Sequence, residues 1–417
     1  MTRTGLFPIH AGFLPLLDSA ILVAAREKNF ARDEGIDLTL ARENSWANIR
    51  DRMAIGHFEA AHLLAPMPIA ARLGLTPMPL DVIAPMALGL GGNAVTVSSA
   101  LAEAMAQEGD LSSLAAGPAG RALAAVAARR RRSGQPTLVF AVVHPHSGHN
   151  YELRYWLAAS GVDPDRDMDI VIVPPPLLPD ALAAGRIDGY CVGEPWNSVA
   201  VARGSGVIVT TKSGIWRSSP EKVLGISGRF AQNHPEILKA LLRALWRAAE
   251  WCGDPQNHEE LAHILAADKY VSVAPDLLLP ALSGVFKGAD GAYRRIPDFF
   301  IPFERAATFP WISHALWFYS QMVRWGQAEW DPGRLEIVAQ SYRPDLYRNA
   351  LAALDIPLPA ASAKVEGALT ETVPVGASKG ELLLGPDGFF DGKSFDPDAI
   401  ESYIRSFESG SIRRSVP

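Results

Sequence analysis

Three histidines, His144, His146 and His149, fall close enough together to raise the question of a metal site. Two or three of them could hold zinc or another divalent ion, with Glu152 one helical turn beyond His149. No cysteine joins them, and Pro145 interrupts a regular ligand-bearing strand. His144 and His146 follow a predicted strand, so their side chains could share a face. His149 lies in Ser147-Gly148-His149-Asn150, directly before an amphipathic run over 151–158, which places it at a helix N-terminus. The macrodipole there disfavours a protonated ring, but a neutral imidazole still donates one hydrogen bond to an anion. Two chemistries are therefore open at this segment, metal ligation and anion binding.

Other motif-like stretches fail on spacing. Asp163, Asp165, Asp167 and Asp169 alternate like the start of an EF-hand loop, but Met168 stands where glycine is required and Pro174 where the closing glutamate belongs. A solvated acidic turn is the reading that remains. Gly392-Lys393-Ser394 resembles the end of a phosphate-binding loop, but the glycine needed five residues earlier is Asp387, which would repel phosphate. Four arginines, Arg129–Arg132, read as favourable charge at the C-terminal end of a helix, with a partner-binding patch as the alternative. No HExxH motif is present. The two cysteines, Cys191 and Cys252, read as small buried apolar side chains.

A small oxyanion without a proton offers acceptors only. Its site needs a positive charge and several N–H donors, and is expected to exclude carboxylates. Trp46 beside a helix N-cap, Asn93 after two glycines, His149 at a helix start and Lys222 near a strand have the right chemistry. Each also has a plain alternative: Trp46 as core, Asn93 as a turn residue, His149 as a solvated cap, Lys222 as a surface charge. Spacing alone does not bring them together.

The elements that must position them alternate between strand and helix in the first half of the chain, the pattern of an α/β fold. Strands are expected over 12–17, 36–41, 58–64, 94–97, 137–143, 169–173, 189–192, 207–211 and 223–227, the last two returning the chain to the first lobe. A helix is expected over 19–33 with Gly35 ending it, and another from the N-cap Ser45 to 53. An alanine-rich helical segment runs to 132. Long amphipathic helices follow over 235–251, 257–267 and 312–325, and the Pro/Gly-rich end suits a strap laid over a lobe. The organisation is residues 1–98 as the first part of lobe 1, 99–205 as lobe 2, 206–357 as the return to lobe 1, and 358–417 as the strap.

The chain has 417 residues, 48% hydrophobic, with a formal net charge of -6, which gives no global reason to bind nucleic acid or an anionic membrane. No run approaches the ~18 apolar residues of a membrane span. Arg3, an apolar stretch and Ala24-Ala25 imitate a secretory signal, but His10, Asp18, Pro8 and Pro15 interrupt it. A cytoplasmic location is the expectation.

The run Gly12-Phe13-Leu14-Pro15-Leu16-Leu17-Asp18-Ser19-Ala20 resembles the opening of the NrtA/CmpA family of nitrate- and bicarbonate-binding proteins. So do Ser45-Trp46-Ala47-Asn48-Ile49-Arg50-Asp51, Ala60-Ala61-His62-Leu63-Leu64-Ala65-Pro66-Met67-Pro68 and Gly91-Gly92-Asn93-Ala94. The resemblance continues through His149 with Arg154-Tyr155-Trp156-Leu157, then Gly193-Glu194-Pro195-Trp196-Asn197, Pro220-Glu221-Lys222 and the turn Phe390-Asp391-Gly392-Lys393-Ser394-Phe395-Asp396-Pro397.

The resemblance implies a two-lobed α/β fold of the periplasmic-binding-protein type (type II), with the anion in the cleft between lobes. It assigns Trp46, Asn93, His149 and Lys222 to the anion site and Pro175 to its wall. Transport members of the family often carry glutamine where this chain has Asn93. Bicarbonate-binding members typically carry a carboxylate at the position of Lys222, which suits an anion with a proton to donate; lysine suits nitrate or nitrite. With the family's first strand starting near residue 12, the chain resembles the NasS-type nitrate/nitrite sensors. These imply a partner, a NasT-type antiterminator with an ANTAR domain, held by the ligand-free sensor and released by nitrate. The expectation is a binding protein with no cofactor, no catalysis and no direct nucleic-acid or membrane contact. The rivals are an ABC-transporter receptor for nitrate or bicarbonate, and a metal-dependent enzyme using His144, His146 and His149.

Overall fold

The computed structural model describes residues 5–408; Arg3 and the end of the expected strap, 409–417, lie outside them. The strands are β1 (Phe7–Phe13), β2 (Ile36–Arg42), β3 (Ala60–Leu64), β4 (Val82–Ala87), β5 (Leu90–Gly91), β6 (Asn93–Ser98), β7 (Leu138–Val142), β8 (Met168–Ile172), β9 (Gly189–Gly193), β10 (Gly206–Thr211) and β11 (Lys222–Ser227). They build two five-stranded sheets, ordered β2-β1-β3-β11-β4 and β10-β6-β9-β7-β8. β1 pairs parallel with β2 and β3, while β11 runs antiparallel to both of its neighbours. In the second sheet it is β6 that runs against its neighbours β10 and β9, and β7 pairs parallel with β8 and β9. Two mixed sheets, each with a strand reversed just after a crossing, make the expected two-lobed binding-protein fold.

The differences from the sequence reading have local causes. The strand expected over 12–17 lies instead at Phe7–Phe13, where Ile9, Ala11 and Phe13 alternate inward. Pro15 has no N–H for a ladder, and the chain turns there into a 3₁₀ segment at Leu17–Ser19. The helix expected over 19–33 is broken into Ala20–Glu27 and Phe30–Asp33 by Asn29, which takes a left-handed conformation with φ 63°. β4 was not anticipated because it contains Pro85, which an edge strand of this sheet tolerates. β10 belongs to the second sheet rather than returning to the first, and β6 opens the second sheet. The lobe boundaries therefore fall before Asn93 and after Thr211, not at 98/99 and 205/206. Alternation along a strand reports burial, not which sheet it joins.

Residues 88–92 and 212–221 cross between the two sheets and run side by side. Leu88 N donates to Lys222 O at 2.9 Å, and Gly91 N donates to Ser219 O at 2.9 Å. The first lobe is covered by the helix Pro235–Gly253, whose Leu238, Leu241, Leu242, Leu245 and Ala248 are buried. The helix Ile312–Arg324 lies against Gly148–Ala159 of the second lobe and against the C-terminal helix Ile400–Glu408.

The strap clasps the second crossing. Phe390 N donates to Ile215 O, Arg217 N to Gly388 O and Ser218 Oγ to Pro386 O, at 2.9, 3.0 and 2.9 Å. Phe389 stacks on Trp216 with ring centroids 4.7 Å apart, and Tyr155 of the second lobe donates to Asp391 at 2.9 Å. Trp216→Ala should cost about 3–5 kcal/mol in urea unfolding, the range for deleting a fully buried large aromatic. A loss below about 1 kcal/mol would show that the clasp is not part of the cooperative core.

Candidate functional site

The anion-site residues of the sequence reading sit at the starts of two helices and of two interior strands, one strand in each sheet. Trp46 opens the helix Trp46–Ala54, capped by Ser45 Oγ, which accepts from Asn48 N at 3.2 Å. Asn93 opens β6 opposite Gly193, the last residue of β9. His149 is in the first turn of Gly148–Ala159, where Ser147 Oγ caps Asn150 N at 3.0 Å. Lys222 opens β11 opposite Leu64. Trp46, Asn93, His149 and Lys222 are all essentially inaccessible to solvent.

Lys222 Nζ is the centre. It lies 2.8 Å from Asp18 Oδ2, 2.9 Å from Glu221 Oε1 and 5.4 Å from the Trp46 ring centroid. His149 Nδ1 reaches the same Glu221 Oε1 at 3.1 Å. Asn93 Oδ1 and Asp18 Oδ2 both border Gly193, where an added Cβ would meet them at 3.1 and 3.5 Å. Four of the five expected residues thus converge. Pro175, buried at the start of a 3₁₀ turn after β8, has no donor to add to this polar web.

The reading gave no part in the anion site to the carboxylates or to a second lysine, and had Glu152 only as a metal candidate beside His149. Asp18, His62, Glu152, Lys212 and Glu221 are all buried here. Asp18 Oδ1 lies 3.0 Å from His62 Nε2, Lys212 Nζ lies 2.9 Å from Glu152 Oε1, and Lys212 also pairs with Glu221. The expected exclusion of carboxylates does not hold. Two buried ammoniums without solvent need counter-charges, and Asp18 and Glu221 supply them. The signals that could have found these groups were modest: Lys212 ends a purely uncharged β-run, and Asp18 sits in an apolar stretch.

Burial alone would raise both carboxyls, but Lys222 and His62 hold Asp18 well below the usual range. Lys212 and Lys222 do the same for Glu221. Desolvation drives His149 down to about 3, so its ring is neutral and can donate from one nitrogen. Among the described residues, no aligned hydrogen-bond partner meets Trp46 Nε1, either atom of the Asn93 amide, or either ring nitrogen of His149. Donors this buried are normally satisfied. An acceptor-only ligand beside Lys222 would satisfy them.

The three histidines do not converge. His146 N donates to His144 Nδ1 at 3.0 Å, and His146 contacts Tyr151, while His149 faces Glu221. Among the described residues no group of three His, Cys, Asp or Glu is arranged to hold a metal ion. The acidic turn is an Asx turn, Asp165 N donating to Asp163 Oδ1, with Arg154 and Arg131 paired to Asp165 and Asp167. Of the arginine run, Arg129 pairs with Glu108 and Arg131 with Asp167 at the end of the helix Ala116–Arg132. Among the described residues no helix is long and apolar enough to cross a membrane.

Residues 6–266 match the NMT1-like family. NrtA of Synechococcus elongatus, a nitrate/nitrite binding protein, is 31% identical over 416 residues, covering 97% of this chain and 87% of its own. NrtC of Synechocystis, a nitrate import ATP-binding protein, is 34% identical over 347 residues; the match takes in 82% of this chain, which spans about half (49%) of that relative's length. The crystal structure of the periplasmic nitrate-binding protein NrtA from Synechocystis superposes with a TM-score of 0.84 at 26% identity, over 96% of this chain and 98% of that one. With the two-sheet architecture and the matched length in agreement, this chain belongs to the NMT1-like family and, within it, to the NrtA-like binding proteins.

Proposed function

We propose that this chain binds nitrate or nitrite between its lobes as a cytoplasmic sensor, without catalysis. When ligand-free it holds an RNA-binding antiterminator of the NasT type, with an ANTAR domain. The observation that carries the ligand is the set of buried donors without an aligned partner, Trp46 Nε1, the Asn93 amide nitrogen and His149 Nε2, gathered with the Lys222 ammonium where the two sheets meet. A planar anion with acceptors alone matches that set, and the names of the NrtA relatives agree with it. The sensor role draws on the resemblance to NasS-type proteins. Linkage supplies the mechanism: a ligand that prefers the closed, free receptor weakens partner binding by the same factor.

A second reading is transport, as the receptor of an importer for nitrate or bicarbonate. One observation favours bicarbonate: Asp18 and Glu221 beside Lys222 could each accept a proton-bearing anion's hydroxyl. Isothermal titration with nitrate, nitrite and bicarbonate in turn decides the ligand. Saturable heat with nitrate or nitrite and none with bicarbonate is expected; bicarbonate binding alone would overturn the assignment. Co-purification with a NasT-type partner, lost on adding nitrate, is expected for the sensor. A chain recovered from its own cells in the periplasm, with no such partner, would establish transport instead.

A further inference from the structure

The charged groups behind the anion contacts form one continuous chain. Asp18 touches His62 and Lys222, Lys222 touches Glu221, Glu221 touches His149 and Lys212, and Lys212 touches Glu152 at 2.9 Å. Lys212 Nζ also donates to Pro220 O at 2.8 Å. All of these side chains are shielded from solvent. Three carboxyls, Asp18, Glu152 and Glu221, thus face two ammoniums, Lys212 and Lys222. If all three carboxyls were ionised, an incoming anion would join a cluster that already carries excess negative charge, with no water to screen it.

We propose that capture of the anion is coupled to uptake of a proton by Glu152, a positioning residue that acts on the ligand only through Lys212, Glu221 and Lys222. The inference rests on the anion-binding reading above. Glu152 faces Lys212 from the segment after β10, Glu221 and Lys222 from the start of β11, His149 on its own helix, and Cys191 on β9. Burial pushes the Glu152 carboxyl up to about 8 against the pull of Lys212, with Glu221 adding to the rise. The other groups do not compete there. Asp18 and Glu221 are held low by their lysines, His149 is neutral, and burial keeps the Cys191 thiol protonated. Glu194, pushed by burial to about 7, faces Ser198 and Asn197 instead.

The sign follows from the charge. A bound anion raises the Glu152 carboxyl further, so the protonated form binds better. Affinity is then flat below the free-state value and falls as pH rises through it, by up to about tenfold per unit. The test is titration of the full chain with nitrate at about pH 8.5 in buffers of different ionisation heat, which counts protons taken up. Uptake of a fraction of a proton per nitrate is expected, vanishing below about pH 6.5. Glu152→Gln should bind at the low-pH affinity throughout, with no uptake. Nitrate heat without a buffer dependence, or an undiminished dependence in Glu152→Gln, overturns the proton coupling and leaves the anion assignment standing. If the variant does not fold, the wild-type pH profile decides alone: uptake that is absent, or unchanged between the two pH values, overturns the coupling. No saturable heat with nitrate, nitrite or bicarbonate at any pH would overturn both readings.

Discussion

Lys222→Glu should bind no nitrate, and Lys222→Met should bind it about 10²–10³-fold more weakly, measured by titration calorimetry. The ammonium is the only cation within contact of both Asp18 and Glu221 Oε1 among the described residues, and Trp46 and His149 are arranged around it. Removing it leaves two buried carboxylates facing the ligand; replacing it by glutamate adds a third. Breaking a buried pair by removing one partner costs about 3–5 kcal/mol, so both variants should also melt lower. The separation of the two effects is direct: a folded Lys222→Met with unchanged affinity would remove Lys222 from the ligand site, whatever its melting temperature.

Glu152→Gln should make the protein more stable near pH 8 and not near pH 4. An unfolded glutamate ionises in the ordinary range, whereas in the fold burial holds Glu152 protonated up to about 8. A carboxyl raised by folding contributes most below its unfolded value, and that contribution is lost as pH rises through the folded value. The cost at neutral pH is on the order of 3 kcal/mol, and glutamine, which has no proton to lose, escapes it. Urea unfolding of both proteins across that range is the check; an equal difference at both ends would assign the effect to packing.

Much of this architecture was legible because local chemistry and global fold agree. Ser45 caps its helix, Gly35 takes its left-handed turn with φ 79°, and the helix Pro235–Gly253 follows its apolar stripe. What was not legible is pairing across distance. Alternation in β10 is the same whichever sheet receives it, and Pro85 conceals β4 because an edge position cannot be read from one strand. At the site, residue chemistry and family resemblance named Trp46, Asn93, His149 and Lys222, which the structure brings close together. They gave no place to Asp18, Glu221 and Lys212, and had Glu152 only as a metal candidate, because a rule for the ligand was applied to the site as if the ligand were its only charge. A buried lysine must be neutralised before any ligand arrives, and that requirement points to the carboxylates.

The segment between Lys212 and Lys222 carries both site ammoniums and Glu221, and it also joins the two sheets. Ligand contact and lobe connection therefore share one stretch of backbone. A substitution there that retunes which anion is preferred also acts on the connection between the lobes, so the two properties are inherited together. The strap that holds this segment in place, through Phe389 and Phe390, is where compensating changes could restore the connection.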